Sequence, residues 1–267
     1  MPFDLNQINK AITLGQLIQA AYASGTTIPP AYVMPAGLGY ALRDVIYGND
    51  LATDIGGLKS IVPFGFTATT PTNDLVVVIR GTQGIWEWVQ DARFLKVTCP
   101  LAPQSGQTED GFTAVYQSLT VNGASVLNYL KTLPVAPATI TITGHSLGAA
   151  LATLLAYDLA VNSAFTNPSV VTFASPQVGD LMFVDTYINE VPDTWRIANI
   201  IDPVPGLPGA IWGYDHVDQL VRVNSLLKAN PLPNCTHALS TYLFLLDQLR
   251  GGTTFQLDTG CAGRSLF

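Results

Sequence analysis

Two spacings of apolar residues alternate along this chain of 267 residues. Ile8, Ala11, Ile12, Leu14, Leu17, Ile18 and Ala21 recur at the three-and-four spacing of one helix face and predict a helix over 6–24. Short β-branched apolar runs predict strands over 61–68 and 75–80, the second preceded by the turn signal Pro71-Thr72-Asn73-Asp74. The pattern continues with a helix over 111–133, a strand over 138–143, an Ala/Leu-rich helix over 147–162 and a strand over 169–174. A helix near 180–190, strands over 195–201 and 220–223, and a last helix from 236 to about 250 complete the order. Strands that are apolar throughout and separated by helices predict a mainly parallel sheet covered on both faces. In such sheets, sites lie beyond the carboxyl ends of the strands. No linker, repeat or charge run interrupts the pattern, so 1–267 reads as a single α/β domain.

One strand-to-helix junction carries chemistry. Gly144-His145-Ser146-Leu147-Gly148 is a GxSxG string between the predicted strand over 138–143 and the helix over 147–162. Glycines on both sides of a serine at such a junction let strand and helix pack closely and leave the hydroxyl at a strained apex above the sheet. The string alone also fits an ordinary surface turn; the flanking elements favour a nucleophile.

A serine hydroxyl needs a base, and the chain has three histidines. His145 adjoins the nucleophile, and its side chain should diverge from that of Ser146. His216 precedes a predicted strand, whereas His237 lies where a C-terminal loop enters the last helix and can fold over the elbow, which favours His237. The base needs a carboxylate partner. Asp202, followed by Pro203 at the end of the predicted strand over 195–201, fits that place. Asp180, Asp185 and Asp193 fit helix ends, and Asp215 and Asp218 lie beside the weaker histidine. Ser146, Asp202 and His237 follow one another in the order Ser, Asp, His. Two N–H donors are required for the oxyanion: Leu147, after the nucleophile, and Thr82 in Arg80-Gly81-Thr82 after the strand over 75–80. The competing reading of that tripeptide is a strand-ending turn with an exposed arginine. Beyond it, Ile85, Trp88 and Val89 share a helical face and Trp86 adds a second aromatic, which reads as a lid over about 83–93 or as core packing.

Composition narrows the partners. Charged residues are 12% of the chain, against about 25% in ordinary domains, and mean hydropathy is +0.30, which suits an apolar interface. A net charge of −7 without a basic stripe argues against nucleic acid and against electrostatic attraction to anionic membranes. No apolar run is long enough to span a bilayer, so a soluble chain is expected. Residues 11–23 end in Ala21-Tyr22-Ala23, which imitates a signal-peptidase site. Asp4 cancels Lys10, and Gln16 and Gln19 interrupt the run, so an amphipathic helix is preferred, and export versus cytoplasm is left open. Cys99, Cys235 and Cys261 allow at most one bridge, in any of three pairings, or three free thiols; they offer no metal-site spacing. No cofactor or metal is expected, and the oligomeric state is left open.

Taken together, these motifs resemble the class 3 lipase family of α/β-hydrolases, which includes fungal triacylglycerol lipases and feruloyl esterases. The resemblance runs from Leu75 to His237. It rests on Arg80-Gly81-Thr82 with Trp88 and Asp91 behind it, Gly144 to Gly148, Asn199-Ile200-Ile201-Asp202-Pro203-Val204-Pro205, Tyr214-x-His216-Val217, and His237 leading a helix with Tyr242. It implies an α/β-hydrolase fold and nucleophile Ser146, acid Asp202 and base His237. It also implies oxyanion donors Thr82 and Leu147, a lid over 84–92, and a structural His216. The implied substrate is an acylglycerol or other apolar ester at a lipid–water interface, with feruloyl esters and phospholipids as alternatives; a non-catalytic lipid binder is a remote alternative. Two departures stand out: Glu109-Asp110-Gly111-Phe112 where the family often has a histidine before Gly-Phe, and the missing fungal cysteine pattern.

Overall fold

The computed structural model describes residues 3–55, 58–82, 94–165, 167–217 and 219–263. The strands, in chain order, are β1 (Ala41–Ile55), β2 (Leu58–Thr69), β3 (Asp74–Ile79), β4 (Lys96–Thr98), β5 (Gln107–Glu109), β6 (Thr120–Val121), β7 (Ala124–Ser125), β8 (Thr139–His145), β9 (Ser169–Phe173), β10 (Thr194–Asn199) and β11 (Leu220–Val223). The helices are α1 (Leu5–Ala23), α2 (Asp110–Ser118), α3 (Val126–Lys131), α4 (Leu147–Asn162), α5 (Leu181–Glu190) and α6 (Leu239–Leu249), with a single helical turn at Pro233–Thr236.

Among the described residues the main sheet has nine strands in the order β11-β10-β9-β8-β3-β2-β1-β6-β7, and β4 pairs with β5 separately. From β3 to β11 the neighbours run parallel, with α4 linking β8 to β9 and α5 linking β9 to β10. This half matches the apolar strand pattern. Beyond β3 the sheet continues antiparallel through β2, β1 and the β6–β7 hairpin.

Both faces of the sheet are buried, which explains why β3 has no polar alternation. Its Leu75, Val77 and Ile79 pack with α2 to α5, while Val76 and Val78 pack with α1 and α6. Helix α1 begins in a reciprocal capping box: the Asp4 carboxylate accepts the Gln7 N–H at 2.9 Å and the Gln7 side chain accepts the Asp4 N–H at 2.8 Å. Its stripe Ile8, Ile12, Leu14, Leu17 and Ile18 is buried, so this apolar segment is part of the core.

Three expectations change. The helix expected over 111–133 is two helices, α2 and α3, separated by the β6–β7 hairpin. Asn122 and Gly123 hold φ of 51° and 81° in the turn of that hairpin, and Asn-Gly with both φ positive suits a two-residue hairpin loop. The strand expected over 195–201 stops at Asn199: the Ile200 N–H makes a last bond to the Val223 carbonyl at 3.0 Å, and the chain then turns, with the Asp202 N–H closing on the Asn199 carbonyl. Strand β1 was not anticipated; Arg43, Asp44, Asn49 and Asp50 dilute its apolar pattern. Of the open cysteine pairings, Cys235–Cys261 forms, and Cys99 is a buried free thiol. Among the described residues no helix is long and apolar enough to cross a membrane.

Candidate active site

Strand β8 lies between β3 and β9 and ends at His145, and α4 starts at Leu147. Ser146 is the single residue between them, at φ 58° and ψ −128°, a region where side chains are strained. Its N–H donates to the Phe173 carbonyl at 3.0 Å. Only glycines fit beside it: a Cβ on Gly144 would stand 2.1 Å from the Gly148 carbonyl oxygen, and one on Gly148 would stand 2.3 Å from that of Ile79. Helix α4 is buried on every side from Leu147 to Ala160, so the elbow is gripped by core.

The two other selected residues arrive on long connections. Asp202 follows β10 by three residues, its N–H donating to the Asn199 carbonyl at 2.9 Å. His237 sits between the turn Pro233–Thr236 and α6. The structure brings all three together: His237 Nε2 is 2.8 Å from Ser146 Oγ, and His237 Nδ1 is 2.8 Å from Asp202 Oδ2. A carboxylate can only accept, so Nδ1 carries the proton and Nε2 is free to accept the serine hydroxyl. Ser146, Asp202 and His237 are 1%, 6% and 6% exposed, so the relay is shielded from water.

The carboxylate is held from two more sides. Tyr242 donates its hydroxyl to Asp202 Oδ2 at 2.7 Å, and the Val204 N–H donates to Oδ1 at 3.0 Å. Burial, and then the charge of Asp202, push the Tyr242 phenol well above its ordinary range, so it keeps the proton it donates. Asn199 links this support to the base. Its N–H donates to Tyr242 Oη at 3.1 Å and its Nδ2 to the Thr236 carbonyl at 2.8 Å, one residue before His237. The Cys235–Cys261 bridge anchors the same turn.

Leu147 is the first residue of α4, where a backbone N–H has no intrahelical acceptor. Thr82 lies three residues beyond the end of β3, which neighbours β8 in the register Ile79 to Gly144. Thr82 lines a cleft of about 570 Å³ together with His145 and His237. The arginine before it is buried at 1% exposure, contrary to the exposed turn reading. Arg80 donates from Nε to the Pro63 carbonyl and from Nη1 to the Gly81 carbonyl, at 3.0 and 2.7 Å, and so fixes the backbone that presents Thr82. Ile85, Trp86, Trp88 and Val89, with the rest of the lid segment 83–93, lie outside the described residues.

The competing histidines are occupied elsewhere. His216 Nε2–H donates to the Pro205 carbonyl; burial, with the Arg196 charge adding, pushes its pKa down to about 4. His145 points away from Ser146 toward Tyr22 and the His237 carbonyl. Glu109, at the departure from the family pattern, is buried and caps α2 through the Phe112 N–H at 2.6 Å. The sequence pattern does not mark Tyr22 or Asn199 individually as a site residue. The only trace of Asn199 was its place in the Asn-x-x-Asp string, and nothing in the pattern around Tyr22 shows where its hydroxyl goes.

The family model described as Lipase (class 3) matches residues 76–212. The chain belongs to the class 3 lipase family. It is 33% identical over 199 residues to the secreted mono- and diacylglycerol lipase A of Penicillium cyclopium, an alignment covering 73% of this chain and 60% of that one. It is 30% identical over 226 residues to phospholipase A1-II 3 of Oryza sativa subsp. indica, covering 73% and 54%. A native Rhizomucor miehei lipase propeptide complex superposes with a TM-score of 0.63 at 24% identity, covering 82% of this chain and 69% of that one. The α/β-hydrolase fold expected for this class 3 lipase family chain is therefore shown. The chain spans only 42%, 49% and 60% of three of the curated relatives it matches.

Proposed function

We propose that the chain is a serine carboxylester hydrolase that cleaves acylglycerols or similar apolar esters through an acyl-enzyme. The observation that carries this is the buried relay from Ser146 through His237 to Asp202 at the carboxyl ends of β8 and β10. In the first half-reaction the Ser146 oxygen bonds to the ester carbonyl carbon while its proton passes to His237 Nε2. The carbonyl oxygen takes the negative charge, facing the Leu147 N–H and the N–H and hydroxyl of Thr82. Collapse breaks the bond to the alcohol oxygen, which takes the proton from His237. Water then repeats the sequence on the acyl-enzyme and releases the acid. Asp202 stays ionised and stabilises the imidazolium.

An apolar partner is supported by a separate groove of about 520 Å³ lined by Ile201, Leu226, Leu227, Pro231 and Leu232, of which Ile201 precedes Asp202 and Leu232 precedes the turn before His237 in the chain. Leu226, Leu227 and Leu232 are all exposed. The Penicillium relative's name points to partial acylglycerols, and the rice relative's name favours phospholipid as a second reading. The disulfide and the relatives named as secreted support action in an oxidising compartment. The segment 83–93, with Ile85, Trp86, Trp88 and Val89, is proposed as the lid on its sequence pattern.

Two measurements test this. Ser146→Ala should lower turnover of nitrophenyl esters by about 10⁴ to 10⁶ with the fold intact; parental activity in that variant removes the assignment. Rates against acyl length, on soluble and emulsified esters, should rise at the interface. A preference for short soluble esters without interfacial response makes the chain an esterase instead.

A further inference from the structure

A chain of hydrogen bonds that takes no proton from substrate joins the two arms of this site. The Gly81 N–H donates to Tyr22 Oη at 2.8 Å, Tyr22 Oη lies 2.8 Å from His145 Nδ1, and His145 Nε2 lies 2.9 Å from the His237 carbonyl oxygen. Each proton can be placed. A carbonyl only accepts, so His145 Nε2 carries the hydrogen; in the neutral ring Nδ1 then accepts, and the Tyr22 hydroxyl donates to it. The states of both groups agree. Burial, and next the neighbouring His237, hold His145 well below the ordinary histidine range, and burial raises the Tyr22 phenol, so the ring stays neutral and the phenol stays protonated.

The ends of the chain matter. Gly81 immediately precedes Thr82, and the His237 carbonyl belongs to the proposed base. Packing leaves no slack between them: a Cβ on Gly81 would stand 2.6 Å from Tyr22 Oη, 2.9 Å from the His145 carbonyl oxygen and 3.0 Å from Ser146 Cβ. The His145 and His237 rings are 4.8 Å apart between centroids. Tyr22 is delivered by the last turn of α1, the apolar N-terminal helix, which therefore has a reason to be there beyond covering the sheet.

Resting on the hydrolase reading above, we propose that His145, held by Tyr22, is a positioning residue that sets the backbone of His237 in register with the backbone presenting Thr82. The proton acceptor and the oxyanion donor are then placed by one connected element rather than separately. Errors of about 1 Å in such placement cost about 10²-fold in rate, so loss of the link should appear in turnover rather than in substrate binding.

The test uses the full chain and a soluble short-chain nitrophenyl ester, with active sites counted by a nitrophenyl phosphonate that labels Ser146. Tyr22→Phe and His145→Leu should each lower kcat about 10- to 100-fold, with KM within about twofold. His145→Gln, whose side-chain amide can offer an N–H near the Nε2 position, should recover most of the His145→Leu loss. Parental kcat per labelled site in Tyr22→Phe overturns the proposal, and that conservative variant decides the matter if His145→Leu does not fold. So does a loss confined to KM or to the labelled fraction, or a His145→Gln variant no better than His145→Leu. If Ser146→Ala itself turns over ester at the parental rate, the hydrolase reading fails. If Ser146→Ala is silent while the Tyr22 and His145 variants are parental, only the positioning role fails.

Discussion

The elbow and the C-terminal arm reach the same site by opposite means. The elbow is contiguous: β8, Ser146 and α4 occupy 139–162, and Ser146 is fixed by backbone, by glycines packed so closely that an added Cβ would stand under 3 Å from neighbouring backbone, and by core on all sides of the helix. The arm is assembled from Asp202 and His237, 35 residues apart in sequence, by individual polar bonds: the Tyr242 hydroxyl and the Val204 N–H on the carboxylate, the Asn199 N–H on Tyr242, and the Asn199 side chain on the turn before the base. The elbow is therefore rigid and intolerant of added atoms, whereas the arm depends on polar bonds that can be deleted one by one while the fold persists.

The largest expected effect tests membership of the arm. His237→Ala should cost about 10⁴-fold or more in kcat, against no more than a few-fold for His216→Ala, each measured per folded molecule; a greater loss in the His216 variant reverses the choice of base. Next comes the rigidity of the elbow. Gly148→Ala forces a Cβ against the Ile79 and Arg80 carbonyl oxygens at 2.3 and 2.5 Å, and should destabilise by about 3 kcal/mol or more. Denaturant unfolding at parental stability would show that the elbow yields after all. Smaller is the loosening of the arm: Tyr242→Phe should lower kcat about tenfold by removing one charge-assisted bond from Asp202, with stability lowered by only about 1 to 2 kcal/mol. A collapse of the fold in that variant would erase the contrast between the two regions.

The smallest effect is read in pH. The His216 pKa of about 4 lies below its ordinary value of 6.5, so the folded state prefers the neutral ring. The stability this contributes is fully present above pH 6.5 and is lost as pH falls through about 4. Between those limits the parent should lose stability with acid more steeply than His216→Asn. His145, lowered in the same direction, leaves a residual slope in both.

What could be read in advance follows the same division. The elbow was legible because its constraints are local: a β-branched run, two glycines four residues apart, and a helix without breakers. Asp202 and His237 were picked out by chain order and by their places at element ends. The hairpin at Asn122-Gly123 went unread because the apolar spacing on either side of it continues as if one helix ran through. Strand β1 went unread because it is paired toward the antiparallel half, where polar side chains interrupt the apolar run. Of the three possible cysteine pairings, only spatial proximity selected one.

By itself the sequence determined the alternation of strand and helix, the strained serine and the order of the reacting groups, because these depend on backbone preferences and on neighbours a few residues away. The tertiary structure alone decided that Tyr22, Gly81, His145 and His237 form one hydrogen-bonded chain, and that Asn199 serves both the acid and the base. Those links join residues whose separations leave no periodic trace. A hydroxyl's partner is set by where packing puts it, not by the residues beside it in the chain.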